Sequence, residues 1–98
     1  MNILNKPELI QLNAGDSFKI IQITGKAGMG MPLHHSTKEA VVIVQEGTAI
    51  LHMHDREYQL AKGDYFIIPA HEKHSLLLKT DFKAIGVLPL DSTIEFEQ

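Results

Sequence analysis

Cysteine is absent from the 98-residue chain, so disulfide staples, thiolate metal sites and a cysteine nucleophile are all excluded. Positive charge is scarce as well. Nine Lys and Arg stand against 12 Asp and Glu, a net charge of -3, which leaves no basic field to hold a polyanion; no nucleic-acid partner is expected. No stretch approaches the ~18 apolar residues of a membrane span. Lys6, Pro7 and Glu8 interrupt the segment from Met1 to Leu12, where a signal peptide would need an unbroken apolar run. The expectation is a cytoplasmic protein with no membrane partner. A 3.6-residue apolar period sustained over three turns is missing too, and with it any case for a helical domain.

What remains is an apolar chain, 44% hydrophobic. Its length predicts one domain over residues 1–98, burying roughly 60 to 70% of its unfolded surface around a single core. β-Branched clusters recur along it, separated by Gly, Pro and Asp, and the pattern reads as all-β. Strands are predicted at Leu9 to Leu12, Phe18 to Thr24, Pro32 to Ser36, Ala40 to Gln45, Ala49 to His54, Tyr58 to Ala61, Tyr65 to Ile68, His74 to Lys79 and Phe82 to Leu88. In Asn13-Ala14-Gly15-Asp16 and Ala61-Lys62-Gly63-Asp64 the glycines are expected to supply positive φ. Many short strands at this spacing suit a barrel or jelly roll, which closes its own edges. After Pro89, Ile94 and Phe96 alternate with Glu95 and Glu97, a pattern that fits either an edge strand or a loose end.

Two spaced motifs carry more information. The first runs Gly28-x5-His34 and on to Glu46-Gly47; the second is Gly63-x5-Pro69-x4-His74. Together they resemble the paired motifs of the cupin superfamily, over about two thirds of the chain. The resemblance implies a small double-stranded β-helix whose barrel holds a metal on three histidines and a glutamate. Here the ligand set is incomplete: counting from Gly28 forward and from Gly47 backward places His34, Ser36 and Ala40 at the three ligand positions of the first motif. In the second motif His74 is present, His71 replaces the inner glycine, and Leu78 replaces the asparagine.

Side-chain parity then sorts the residues, because residues two apart on a strand face the same way. With His34 inward, as the resemblance implies, Ser36, Ala40, Val42 and Val44 are inward too, and Val41 and Ile43 point out. In the fifth strand Ala49, Leu51 and Met53 pack inward, and Ile50, His52 and His54 outward. The outer surface carrying Val41, Ile43 and Ile50 is the predicted homodimer contact, with packing against another sheet of the same barrel as the alternative.

A transition-metal site wants about three or more converging protein ligands. His34 and His74 supply two, Ser36 is a weak neutral donor, and Glu39 reaches the interior only through a bulge between Thr37 and Ala40. Slipping the register by one would bring His35, Thr37 and Glu39 inward instead. The bland alternative for His34 and His74 is a pair of buried neutral imidazoles bonded to each other, to Ser36 or to water. His71 is expected in a left-handed turn residue's role. His52-Met53-His54-Asp55 reads as a solvated hairpin lacking the support a functional site needs. No helix follows Gly25 to Gly30 to present its N-terminus to a phosphate.

These readings point to a small cupin that binds a small metabolite at His34, Ser36, His74 and Met53, with a metal weakly held or absent. The competing reading is a metal-dependent dioxygenase or isomerase holding Fe, Mn, Ni or Zn on His34 and His74, with Glu39 as a non-standard third ligand. A third is a structural module whose barrel is plugged by Met29, Met31 and Met53. No catalytic residue is assigned.

Overall fold

Alternation with a period of two governs the chain from end to end, and it is cleanest in the strand Phe82–Pro89, where buried Phe82, Ala84, Gly86 and Leu88 alternate with half-buried Lys83, Ile85, Val87 and Pro89. The computed structural model describes residues 6–97; residues 1–5 and 98, which fall within the predicted domain 1–98 and the N-terminal segment, lie outside the described residues. Ten strands are described: β1 (Glu8–Ala14), β2 (Phe18–Gly25), β3 (Gly30–Ser36), β4 (Ala40–Glu46), β5 (Thr48–His52), β6 (Glu57–Ala61), β7 (Tyr65–Ile68), β8 (His74–Leu78), β9 (Phe82–Pro89) and β10 (Ile94–Phe96). They form two antiparallel sheets, ordered β1-β2-β9-β4-β7 and β10-β3-β8-β5-β6.

The inner faces of the two sheets meet in one apolar cluster. Ile23, Val44 and Phe82 come from the first sheet, and Leu51, Leu60 and Leu78 from the second. Val44 and Leu78 are the largest side chains wholly removed from water. This is the all-β jelly-roll architecture expected from the alternating pattern, with nine strands placed within two residues of their predicted ends. The tail resolves as the tenth: Ile94, Glu95 and Phe96 pair with Ser36, His35 and His34.

Turn chemistry follows the motifs. Gly28, Gly47 and Gly63 have φ of 90°, 84° and 91°, and among the described residues His71, in the place of the family's inner glycine, is the non-glycine residue with positive φ, at 67°. Gly15 is absent from the positive-φ set, contrary to expectation; its N–H is satisfied by the Phe18 carbonyl in an ordinary turn. Gly47 is the most constrained, since a Cβ there would collide with the Asp81 carbonyl oxygen.

One grouping is corrected. Val41 and Ile43 lie on the outer face of the first sheet, whereas Ile50 lies on the outer face of the second, paired with Gln59 and Leu77. The chain passes from one sheet to the other at Gly47, and parity fixes inside against outside without saying which sheet a strand joins. Among the described residues, nothing covers Ile43, which stays 41% exposed, so packing of that face against another sheet of the same barrel does not occur.

Candidate functional site

His34 and His74 are direct partners across β3 and β8. Both are only 5% exposed, and their ring centroids lie 4.2 Å apart, edge to face. Two local devices aim them. In β3 the register shifts between Met31 and His34, with Pro32, which has no N–H to give a ladder, at the irregularity. Before β8, the turn through Pro69 and His71 closes with the His71 N–H donating to the Ser36 carbonyl at 2.8 Å, tying the turn that delivers His74 to the strand that carries His34.

Each ring is held by its own backbone. His34 Nδ1 lies 2.6 Å from the Pro32 carbonyl and His74 Nδ1 lies 2.9 Å from the Glu72 carbonyl. A carbonyl oxygen only accepts, so in the neutral rings Nδ1 carries the proton and Nε2 the lone pair. Burial pushes both rings below the ordinary imidazole value; the backbone bonds act the other way, and the neighbouring ring charges of His74 and His35 on His34, and of His35 on His74, add to the lowering. Ser36 is buried beside them and accepts the Lys38 N–H. The parity reading is correct here, and the slipped register is not adopted: His35 faces outward, with Nδ1 3.1 Å from Glu97 and Nε2 3.5 Å from Glu95.

The two imidazoles and Ser36 share a cavity of about 70 Å³ between the sheets. The rest of its wall is apolar, including Ile21, Val42 and Leu88 from the first sheet and Met31, Leu51 and Leu76 from the second. Among the described residues, no Lys, Arg, Asp or Glu lines it. Met53, a predicted ligand-binding residue, is buried in the core cluster away from that wall, and Met31 stands in its place. Met53 follows the end of β5, so extending strand parity to it gave the right burial and the wrong neighbourhood. Sequence reasoning missed Ile94 on the wall and Phe96, whose ring lies 5.2 Å from that of His34. The alternation in the tail was the available signal; its pairing partner was not legible.

The metal expectation can be tested on this donor set. Glu39 is exposed, and the bulge that would have turned it inward is instead in β3. Ala40 offers no donor. Among the described residues no group of three or more His, Cys, Asp or Glu is placed to hold an ion. Two imidazoles and a hydroxyl fall short of the three or four protein ligands of a firmly held transition metal, so the residues do not fit the family's metal centre. His52 and His54 are exposed, and His52 pairs with Glu57 across the hairpin, as expected of a solvated face.

An all-β barrel with facing sheets and an internal histidine pair defines a class of protein. The cupin-domain family model matches residues 19–87, and the chain belongs to that family. It is 32% identical over 63 residues to the HTH-type transcriptional activator RhaR of Pectobacterium atrosepticum, covering 64% of this chain and 20% of that protein. It is 33% identical over 69 residues to the quercetin 2,3-dioxygenase of Bacillus subtilis, covering 69% of this chain and 20% of the enzyme. The chain thus spans about a fifth of the length of these relatives. A crystal structure of a cupin superfamily protein from Desulfitobacterium hafniense superposes with a TM-score of 0.80 at 21% identity, covering 89% of this chain and 80% of that one.

Proposed function

We propose that the barrel binds a small, largely apolar metabolite whose hydrogen-bond donor faces His34 and His74, without a firmly held metal. The observation that carries this reading is the pair of buried rings whose Nδ1–H groups are both taken up by backbone carbonyls, leaving two acceptor nitrogens for a cavity with an apolar wall. The cavity is about half the ~150 Å³ that accepts a benzene ring, so it suits a molecule of about three or four heavy atoms, or the end of a longer one. The Ser36 hydroxyl adds one donor and two acceptor sites to the same wall. An occupant bearing a hydroxyl or N–H would satisfy the ring nitrogens without a cost in buried, unpaired polar groups.

The test is a titration of ring-¹⁵N-labelled protein with a panel of short-chain alcohols, diols and amides. The expected result is a saturable shift of the His34 and His74 resonances by at least one member, abolished in Val42→Phe, which fills the cavity. Ring resonances unmoved by every member, in a folded protein, would refute the reading. The competing enzyme reading requires iron, manganese, nickel or zinc at one per chain in untagged protein, retained after chelation and lost in His74→Ala.

A further inference from the structure

The wall of the histidine cavity is unevenly held. Each of the four strands at a sheet edge lends it one side chain: Leu9 from β1, Leu60 from β6, Ile68 from β7 and Ile94 from β10. β10 is the shortest, three residues against seven, five and four. It also pairs with the strand that carries two of the polar residues of the site. Ile94 lies opposite Ser36 and Phe96 opposite His34, and the Phe96 ring, 5.2 Å from that of His34, is still 45% exposed.

The two ends of this segment are attached differently. Upstream, Ser92 is buried; its N–H and hydroxyl both donate to the Pro89 carbonyl, and its own carbonyl accepts from Lys19 Nζ at 3.0 Å. The chain is therefore fixed where it leaves the turn. Beyond that point the Thr37 N–H donates to the Thr93 carbonyl and the Glu97 N–H to the Leu33 carbonyl. On the outer face His35 contacts Glu95 and Glu97, and Lys73 Nζ lies 3.3 Å from Glu97. Ion pairs with solvated side chains contribute little each, and a three-residue ladder bonded on one side is the kind of element that opens without the rest of the fold.

We infer that β10 is a hinged strap over the histidine cavity, pivoting at Ser92, and that its lifting withdraws Ile94 and Phe96 and opens the route to Nε2 of His34 and His74. The other edges are poorer gates. Lifting β1 breaks six register pairs rather than three, and lifting β6 or β7 uncovers Leu60 or Ile68, which are buried where Ile94 is only half-buried. A lifted strap also lets a molecule longer than the 70 Å³ cavity leave its far end outside. This role rests on the cavity being a binding site, but the opening itself is measurable without any ligand.

The probe is diethyl pyrocarbonate, which acylates unprotonated imidazole nitrogen, with modification of each histidine of the intact chain followed by mass spectrometry at neutral pH. Because the chain has no cysteine, His35→Cys/Glu95→Cys introduces a single pair of thiols, directly opposed with Cα atoms about 4.5 to 5.5 Å apart, within disulfide range. Oxidised, this variant should acylate His34 and His74 at least about tenfold more slowly than its reduced form, with His52 and His54 unchanged. Glu95→Gln/Glu97→Gln removes the outer contacts, leaves the wall intact, and should speed both modifications about threefold to tenfold. In the unaltered protein the Thr37 and Glu97 amides should exchange hydrogen at least about 100-fold faster than that of Val44, whose side chain lies in the core and whose N–H donates to Asp64. Equal labelling of the two redox forms, no acceleration in the glutamine variant, or Thr37 and Glu97 amides as protected as that of Val44 would each overturn the strap. Labelling slowed by the cross-link, with ring resonances indifferent to every small molecule tried, would uphold the strap and refute the ligand reading.

Discussion

Acidification should destabilise this protein through His34 and His74, and the size of the effect follows from their burial. Both rings are held below the ordinary value of 6.5, chiefly because charging them inside the barrel forfeits hydration. In the unfolded chain the same rings take up protons near ~6.5. Between the folded and unfolded values the unfolded state therefore binds more protons, and unfolding free energy rises with pH. The stability these rings contribute is fully present above about pH 6.5 and is lost as pH falls from there through the folded values. Each ring contributes a slope of at most about 1.4 kcal/mol per pH unit, so the pair supplies up to about 2.7. The comparison that isolates them is the double variant His34→Leu/His74→Leu, measured by urea unfolding at several pH values from about 5 to 8. Each substitution removes one Nδ1–H bond to a backbone carbonyl, a loss of about 1 kcal/mol that added apolar burial partly offsets. At about pH 8 the double variant should lie within about 2 kcal/mol of the wild type, slightly below it. Toward pH 5 the gap should close and then invert, because the variant no longer has imidazoles to charge. Exposed histidines such as His52 and His54 are common to both proteins and cancel in the difference. Parallel profiles, or a wild type that gains stability on acidification relative to the variant, would refute the argument that burial controls these rings.

Gly47→Ala and Gly63→Ala provide a matched pair. Both glycines have φ near +90°, but a Cβ at Gly47 meets the Asp81 carbonyl while one at Gly63 meets nothing within 4 Å. Gly63→Ala should cost about 1 to 2 kcal/mol from backbone strain alone and Gly47→Ala clearly more, with melting temperatures lower by roughly 5 and at least 10 °C; equal losses would discount the contact. Chelation of untagged protein should move its melting temperature by no more than about 2 °C, since two imidazoles do not build a structural metal site; a larger drop, reversed by one equivalent of zinc or iron, would contradict the ligand count. Leu78→Ala, at a side chain 1% exposed, should cost about 3 kcal/mol with little change in m-value, and a cost below about 1 would place it outside the shared core.

The period-two pattern and the turn residues determined, without any coordinates, where nine strands run and which side chains point inward. That much is local: a strand's pleat and a glycine's φ depend on the chain's own covalent geometry. The paired motifs went further and placed His34 and His74 together, because each half-motif brings its own turn, and His71 at φ 67° shows how a non-glycine residue serves the turn before His74. Tertiary structure alone decided the rest. Which sheet receives a strand depends on distant partners, so Ile50 parted from Val41 and Ile43, and the tail from Ile94 to Phe96 found β3 and set Phe96 against His34. Whether Glu39 could reach the interior depended on where the bulge fell, and it fell at Pro32, several residues too early. The protonation of the two rings likewise rested on backbone carbonyls two residues upstream, whose direction only the folded β3 and the turn before β8 fix. Sequence spacing specifies which way a side chain leaves its strand; what it meets there is set by chain segments that spacing does not reach.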